Sequence, residues 1–374
     1  MRKKIAVLGA TGSIGKSTLD VLRQNKDDFE CVLLTARNDE ESLGKLKTEF
    51  SNALTVLSDK EGKGALLNAI ADCGADIAVN GIAGSPGLEP SLACIDAGMD
   101  LALANKETIV MAGPLAFKKA DKNHTKIIPV DSEHSAVFNL IEALGSLNTT
   151  EIILTASGGP FRNYSMEQLE KVTPKEALAH PTWNMGAKIT LDSATLANKG
   201  LEVIEAARLF DFPLEKIKVV IHPQSIVHSL VRVKDGAVYA QLSRPDMRLP
   251  IHEALYWPQI NPSPFGVLDF ENLNLSFEKP DTGRFPMLAL AYEALKAGPL
   301  MPVVYNAANE IAADAFLKGR TGFLEIPGIV GYVLKSCRES GGDREAPSLK
   351  MILDTDGIAR KTALKYIGRT DDDF

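Results

Sequence analysis

Ile5-Ala6-Val7-Leu8-Gly9-Ala10-Thr11-Gly12-Ser13-Ile14-Gly15 decides how the rest of the chain is read. Four consecutive apolar residues suit a strand buried on both faces of a parallel sheet. The glycines that follow are spaced Gly-x-x-Gly-x-x-Gly, and Leu19, Val21 and Leu22 then carry a helix pattern. Glycines between strand and helix let the backbone approach a pyrophosphate, and the free N–H groups of the helix start meet its charge. A second strand, Cys31–Thr35, ends at Ala36-Arg37-Asn38. An acidic residue at this place holds an NAD ribose, whereas a cation suits the 2′-phosphate of NADP. Arg37 therefore favours NADP(H), with the nearby Asp39 as the competing acid and a plain surface arginine as the alternative. Further strand and helix patterns alternate through Asp76–Val79, Glu89–Ala97 and Leu101–Ala104, the last opening onto Asn105-Lys106-Glu107. The expectation is a doubly wound α/β domain over residues 1–130.

The whole chain narrows the functions available. Its 374 residues allow two or three domains, with 45% hydrophobic and 24% charged residues. A formal net charge of −7 argues against general nucleic-acid binding, which needs a basic face. Cys31, Cys73, Cys94 and Cys337 lie far apart, which indicates neither a zinc site nor a disulfide framework and suits a reducing cytoplasm. The first strand begins too close to Met1 for a signal peptide, and no apolar run is long enough to span a membrane. The expected partner is a small molecule, with no nucleic acid and no membrane.

Asp131-Ser132-Glu133 follows the apolar run Lys126–Val130 and precedes a helix pattern. Two carboxylates at a strand's carboxyl end can share a hard cation such as Mg2+ or Mn2+, although Asp131 or Ser132 could simply cap the helix. A second domain opens at the strand Glu151–Thr155, and Ser157-Gly158-Gly159 after it could present a hydroxyl and amides to a phosphate. The stretch to Met185 reads as a polar loop carrying His180 and Trp183, placed to act as a mobile lid. A single helix is expected from Ser193 to Phe210. On it Glu202 lies four and three residues from Asn198 and Lys199, so that the three touch, either as a phosphate and metal site or as a surface ion pair. Three short strands, Val219–Ile221, Ile226–Val231 and Val238–Leu242, follow. A proline-rich linker is expected over 257–284 and a helical bundle over 285–374, with Asp371-Asp372-Asp373 as a solvated tail. The middle, α+β domain is placed at 131–256.

Laid side by side, these motifs resemble the 1-deoxy-D-xylulose 5-phosphate reductoisomerase family. The likeness is carried by Gly-Ala-Thr-Gly-Ser-Ile-Gly (9–15), Ala-Asn-Lys-Glu (104–107), Pro-Val-Asp-Ser-Glu-His (129–134), Ser-Gly-Gly-Pro-Phe (157–161), His-Pro-x-Trp-x-Met-Gly (180–186), Asp-Ser-Ala-Thr-Leu-x-Asn-Lys-Gly-Leu-Glu (192–202) and His-Pro-Gln-Ser-x-Val-His-Ser (222–229). The resemblance implies a skeletal rearrangement of 1-deoxy-D-xylulose 5-phosphate and a hydride transfer from NADPH, giving 2-C-methyl-D-erythritol 4-phosphate for isoprenoid synthesis. It implies Asp131, Glu133 and Glu202 as ligands of Mg2+ or Mn2+, and Ser157, Ser193, Asn198 and Lys199 as the phosphate cradle. Lys106, Ser132, His180 and His228 would meet the substrate's oxygens, with Trp183 on the lid. Thr11, Gly12, Ser13, Ile14, Arg37, Asn38, Asn105, Glu107, Gly186 and Met247 would line the NADPH site. A homodimer is the family norm. The competing readings are another NADP-dependent oxidoreductase of a small phosphorylated or semialdehyde substrate, and a non-enzymatic NADPH sensor.

Overall fold

A computed structural model describes residues 2–183, 185–337 and 347–371. Of the acidic end expected at Asp371-Asp372-Asp373, Asp371 is the last residue of a helix and the other two lie outside the described residues. The chain divides into two compact units, the first formed by 1–108, 116–138 and 246–268 and the second by the remainder.

The first unit is a six-stranded sheet. Its strands are β1 (Lys3–Leu8), β2 (Phe29–Ala36), β3 (Leu54–Leu57), β4 (Ile77–Asn80), β5 (Asp100–Leu103) and β6 (Ile127–Pro129), in the order β3-β2-β1-β4-β5-β6. Every pairing is parallel, with Ile5 opposite Ile77 and Leu101 opposite Ile127. This is the doubly wound order, and its reversal between β1 and β4 opens a crevice at the strands' carboxyl ends. Ile5, Ala6, Val7 and Leu8 are all fully buried, as an apolar run without alternation requires. Ile5, Val7, Leu19, Leu34 and Val79 share one core cluster with Ile251 and Leu255. The helix Arg248–Tyr256 therefore belongs to this unit, although it follows all four strands of the other in sequence. Its last residue ties down the bend after the first helix, Tyr256 Oη donating to Asp28 Oδ2 at 2.5 Å.

The second unit holds β7 (Thr149–Ala156), β8 (Ile217–Ile221), β9 (Val227–Val233) and β10 (Val238–Leu242) in the order β10-β9-β7-β8. β7 and β8 run parallel, whereas β7–β9 and β9–β10 are antiparallel. Among the described residues, four helices, Met287–Ala297, Met301–Leu317, Glu325–Cys337 and Leu349–Asp371, make up the helical part, packed through Val304, Phe316, Ile329, Val333 and Ala363.

Two expectations for this unit need correction. The helix expected unbroken from Ser193 to Phe210 is two helices, Ala187–Thr195 and Ala197–Leu209, turning at Leu196 with φ 61°. Propensity does not ask a leucine into left-handed backbone, which costs about 1–2 kcal/mol. Tertiary contacts impose it. Asn309 Nδ2 binds the buried Asp192 Oδ1 at 2.9 Å, and Lys188 Nζ holds its other oxygen at 2.7 Å. Gly159 presses on the same corner, where a Cβ would lie 2.7 Å from the Ser193 carbonyl oxygen. The supposed polar loop also contains two one-turn helices, Met166–Leu169 and Pro174–Ala177. Each has a complete capping box, Ser165 with Gln168 and Thr173 with Glu176, and each buries one apolar residue, Leu169 and Ala177.

Candidate active site

At the mouth of the first unit, Gly12 caps the helix Ser13–Gln24 with no side-chain cap and no acidic residue in the first turn. The positive end of the helix is thus left to an external anion. A Cβ at Gly15 would lie 2.3 Å from the Gly9 carbonyl oxygen, so only glycine lets the loop fold this tightly. Thr11, Gly12, Ser13 and Ile14 all lie on this loop or in the first turn after it. Arg37, after β2, is exposed and pairs with Asp59 at 3.3 Å. Asp39, the competing acid, accepts the Ser42 N–H as the cap of the helix Glu40–Glu49. That hydrogen bond, first among several causes, lowers its carboxyl below the usual range. Arg37 and Asn38 stand immediately before this cap, and Met247 packs against the core of the same unit.

β5 and β6 are parallel neighbours, so the residues following each emerge side by side. Lys106 and Asp131 meet there at 2.6 Å with 6% and 12% of their side chains exposed. Lys106 is not the solvated lysine that a surface pair with its neighbour Glu107 would make. Instead Glu107 Oε2 accepts from Asn105 Nδ2 at 3.0 Å, and the lysine turns inward. Glu133 N–H donates to Asp131 Oδ1 at 3.3 Å, and Ser132 Oγ donates to Glu133 Oε2 at 2.9 Å. His134, quoted in a motif but given no role, is fully buried with Nδ1 3.3 Å from Asp131 Oδ1. Its position three residues after Asp131 on a helix was the available signal.

In the second unit the carboxylate of Glu202 is 1% exposed and accepts from Asn198 Nδ2 at 2.6 Å and from the ammonium of Lys199. The surface ion pair is therefore a buried one, because this helix packs between β7 and β8 on one side and the helix Met287–Ala297 on the other. Ser193 stands at the Leu196 corner, one residue after the anchored Asp192.

His180 sits at the end of the presumed lid. Its Nδ1 accepts the N–H groups of Thr182 and Trp183 at 3.1 and 2.9 Å, which leaves the proton on Nε2. Nε2–H then donates to Ser157 Oγ at 3.0 Å, and Gly159 N–H donates to the same oxygen at 3.2 Å. With two donors facing it, Ser157 has its own proton to offer elsewhere. Burial pushes the His180 imidazole below its ordinary range, which keeps it neutral. Trp183 is half-buried with its ring 6.2 Å from that of His228, edge to face. His228 Nε2 donates to the Ser243 carbonyl at 3.3 Å. Gly186 caps the helix Ala187–Thr195.

Comparison with known proteins bears on all of this. The family pattern described as 1-deoxy-D-xylulose 5-phosphate reductoisomerase matches residues 5–72 and 38–113. The C-terminal domain pattern of that enzyme matches 127–210, and a second DXP reductoisomerase C-terminal domain pattern matches 242–362. The 1-deoxy-D-xylulose 5-phosphate reductoisomerase of Chlorobaculum tepidum is 47% identical over 386 residues, covering 98% of this chain and 100% of that one. That of Treponema denticola is 46% identical over 375 residues, covering 98% and 97%. Among solved structures, the Zymomonas mobilis enzyme in complex with NADPH is 41% identical with a TM-score of 0.88, covering 98% of this chain and 99% of its own. A DOX-P reductoisomerase in complex with NADPH, fosmidomycin and magnesium is 36% identical with a TM-score of 0.92, covering 99% of both. Sequence, fold and the order of the motifs agree along nearly the whole length, and the chain belongs to the 1-deoxy-D-xylulose 5-phosphate reductoisomerase family.

Proposed function

We propose that the chain converts 1-deoxy-D-xylulose 5-phosphate to 2-C-methyl-D-erythritol 4-phosphate, with NADPH as hydride donor and Mg2+ or Mn2+ as cofactor. The observation that carries the reading is a pair of carboxylates, Asp131 partly buried and Glu202 buried, each faced by a buried lysine ammonium. Carboxylates so held offer hard oxygen donors already placed against positive charge, which is the donor chemistry Mg2+ or Mn2+ takes. Asp131, Glu133 and Glu202 would hold the ion, and when bound it supplies Lewis-acid polarisation of the substrate's carbonyl. The uncapped start of the helix Ser13–Gln24 fits the pyrophosphate of NADPH. Arg37 fits its 2′-phosphate, and Met247 would lie against the nicotinamide.

The chain's own residues supply the rest. Ser157 donates its remaining proton to a phosphate oxygen, in an orientation fixed by neutral His180. Ser193, Asn198 and Lys199 complete the phosphate cradle, and phosphate so bound contributes binding energy remote from the reacting carbons. Lys106, displaced from Asp131 toward the substrate, offsets negative charge that develops on its oxygens. Ser132 and His228 orient those oxygens, and Trp183 closes over them to exclude water. The reading extends to a homodimer in a reducing cytoplasm, where four free cysteines are at home. Among the described residues, no helix is long and apolar enough to cross a membrane.

The test is product identification. Incubation with substrate, NADPH and Mg2+ should yield a product whose methyl group sits on a quaternary carbon, seen by NMR as an uncoupled methyl signal. Reduction without rearrangement leaves that methyl coupled or on an unbranched chain, and would refute the assignment.

A further inference from the structure

Behind the turn that launches Lys106, three polar side chains with no role so far, Asn80, Ser91 and Thr108, run up to Asn105. Asn80, Ser91 and Thr108 are fully buried, and Asn105 is 1% exposed. Backbone partners settle both amides. Asn105 Oδ1 accepts the Thr108 N–H at 3.0 Å, and its Nδ2 donates to the carbonyls of Ile82 at 2.7 Å and Gly84 at 2.8 Å. Asn80 Oδ1 accepts the Ile82 N–H at 3.0 Å, and its Nδ2 donates to the Gly87 carbonyl at 3.0 Å.

The hydroxyl protons follow from these. Thr108 Oγ1 lies 2.6 Å from Asn105 Oδ1, an oxygen that only accepts, so the Thr108 proton points there. Thr108 Oγ1 then accepts from Ser91 Oγ at 2.8 Å, and Ser91 Oγ accepts from Asn80 Nδ2 at 2.7 Å. One proton order runs from Asn80 through Ser91 and Thr108 to Asn105. The Asn80 carbonyl also accepts the N–H groups of Ala104 and Asn105, both at 3.1 Å. The backbone immediately before Lys106 is thus held by Asn80 directly and again through two hydroxyls. Gly87 lets the strap close, since a Cβ there would lie 2.6 Å from Asn105 Cγ.

We propose that Asn80, Ser91 and Thr108 are positioning residues for the reaction. Their proton-ordered chain fixes the Asn105 amide and the first turn of the helix Lys106–Asn123, and so the direction in which Lys106 is presented. The proposal rests on the reading of Lys106 as a group that meets the substrate's oxygens. A chain kept only for stability would be replaceable, because exchanging both partners of a buried hydrogen bond for apolar groups of like shape is nearly neutral.

The test is the double variant S91A/T108V. It deletes both hydroxyls while Asn80 Nδ2 keeps the Gly87 carbonyl and Asn105 Oδ1 keeps the Thr108 N–H. The expected result is a fall in kcat of about tenfold to a hundredfold, as a misaimed group costs. NADPH binding to the free enzyme stays within about twofold and the melting temperature within a few degrees, while T108S, which keeps the hydroxyl, stays near wild type. If the pair does not fold, S91A alone removes the middle link and carries the same expectation. Wild-type kcat in the variant overturns the proposal, as does a loss of kcat matched by equal losses in NADPH binding and melting temperature. Lys106→Met is measured in parallel. Full turnover there refutes the reading of Lys106 itself, whereas an inactive Lys106→Met beside a fully active double variant refutes only the positioning chain.

Discussion

The guanidinium of Arg208 donates to the carbonyl of Val110 at 2.6 Å, and Val110 is the acceptor that Pro114 leaves without its helical N–H. The same nitrogen reaches the Ile109 carbonyl at 3.0 Å, and the other amino group reaches that of Pro299 at 3.0 Å. Proline inside the helix Lys106–Asn123 and non-helical backbone at Ala112 (φ −134°) open the ladder. An arginine from the helix that carries Asn198, Lys199 and Glu202 satisfies the carbonyls so released. Desolvation lowers this cation to about 10.

Arg208→Met should therefore destabilise the protein by about 2–4 kcal/mol, since it strands buried carbonyls. Pro114→Ala should recover more stability in the Arg208→Met background than in the wild type, because alanine restores a donor to Val110. Urea unfolding of the four proteins of this cycle measures the coupling, and additive changes would refute the relationship.

A pH dependence follows from three histidines, His180, His222 and His252, that burial pushes below their ordinary range. His222 shows why: its Nε2 accepts the N–H groups of Ile226 and Val227 at 3.2 and 3.1 Å, while Nδ1 donates to the Ser276 carbonyl at 2.9 Å. Protonation would set a third N–H against two others. The unfolded chain, with histidines near 6.5, then binds more protons than the folded one at mildly acid pH. Stability is fully present above about pH 7 and is lost as pH falls through 6.5 toward the folded values. Urea midpoints across this range should fall, and His222→Gln should flatten the slope. An unchanged slope in that variant would contradict it.

How much of this was open to reading from the sequence depends on the range of the contact involved. The glycine loop and the strands around it were plain because their signals are local, a run of apolar residues and glycines at fixed spacing. The strand Leu54–Leu57 escaped because four residues at a sheet edge carry little pattern. The capped turns at Ser165 and Thr173 were open to reading and were missed. The partner of Lys106 was not, because only the neighbouring of β5 and β6 brings Asp131 to it. The break at Leu196 was equally closed, since Asn309 and Gly159 enforce it from distant parts of the chain. The burial of Glu202 depends on helices more than eighty residues away in sequence, so an exposed ion pair was the natural local reading.

Arg37→Ala should weaken NADPH by about tenfold to a hundredfold, the value of a charge-assisted contact, while NADH changes little. Asp59→Asn removes the present partner of Arg37 and should improve NADPH binding by no more than a few fold, because exposed ion pairs are weak. Equal losses for both cofactors in Arg37→Ala would move the 2′-phosphate elsewhere.

The lid can be followed without chemistry. Trp183 and Trp257 are the two tryptophans, so Trp257→Phe leaves emission to Trp183. Its emission should change, and proteolysis between Gly158 and Gly186 should slow, when a phosphonate analogue and Mg2+ are added together. Inorganic phosphate should do much less. Indifference to both would make Trp183 a fixed anchor.

The central claim is that one reaction needs the carboxylates, the divalent ion and NADPH at once. The most direct measurement is NADPH oxidation on adding 1-deoxy-D-xylulose 5-phosphate, in wild type and Glu202→Gln, with Mg2+ and with EDTA. Loss of a partner beyond the direct ligands already costs about 10–100-fold, so losing a ligand's charge should cost more. The account predicts rapid oxidation in wild type with Mg2+, none in EDTA, recovery on adding back Mg2+, and near-silence in Glu202→Gln despite normal NADPH binding. Oxidation that persists in EDTA, or wild-type turnover in Glu202→Gln at limiting Mg2+, would contradict it.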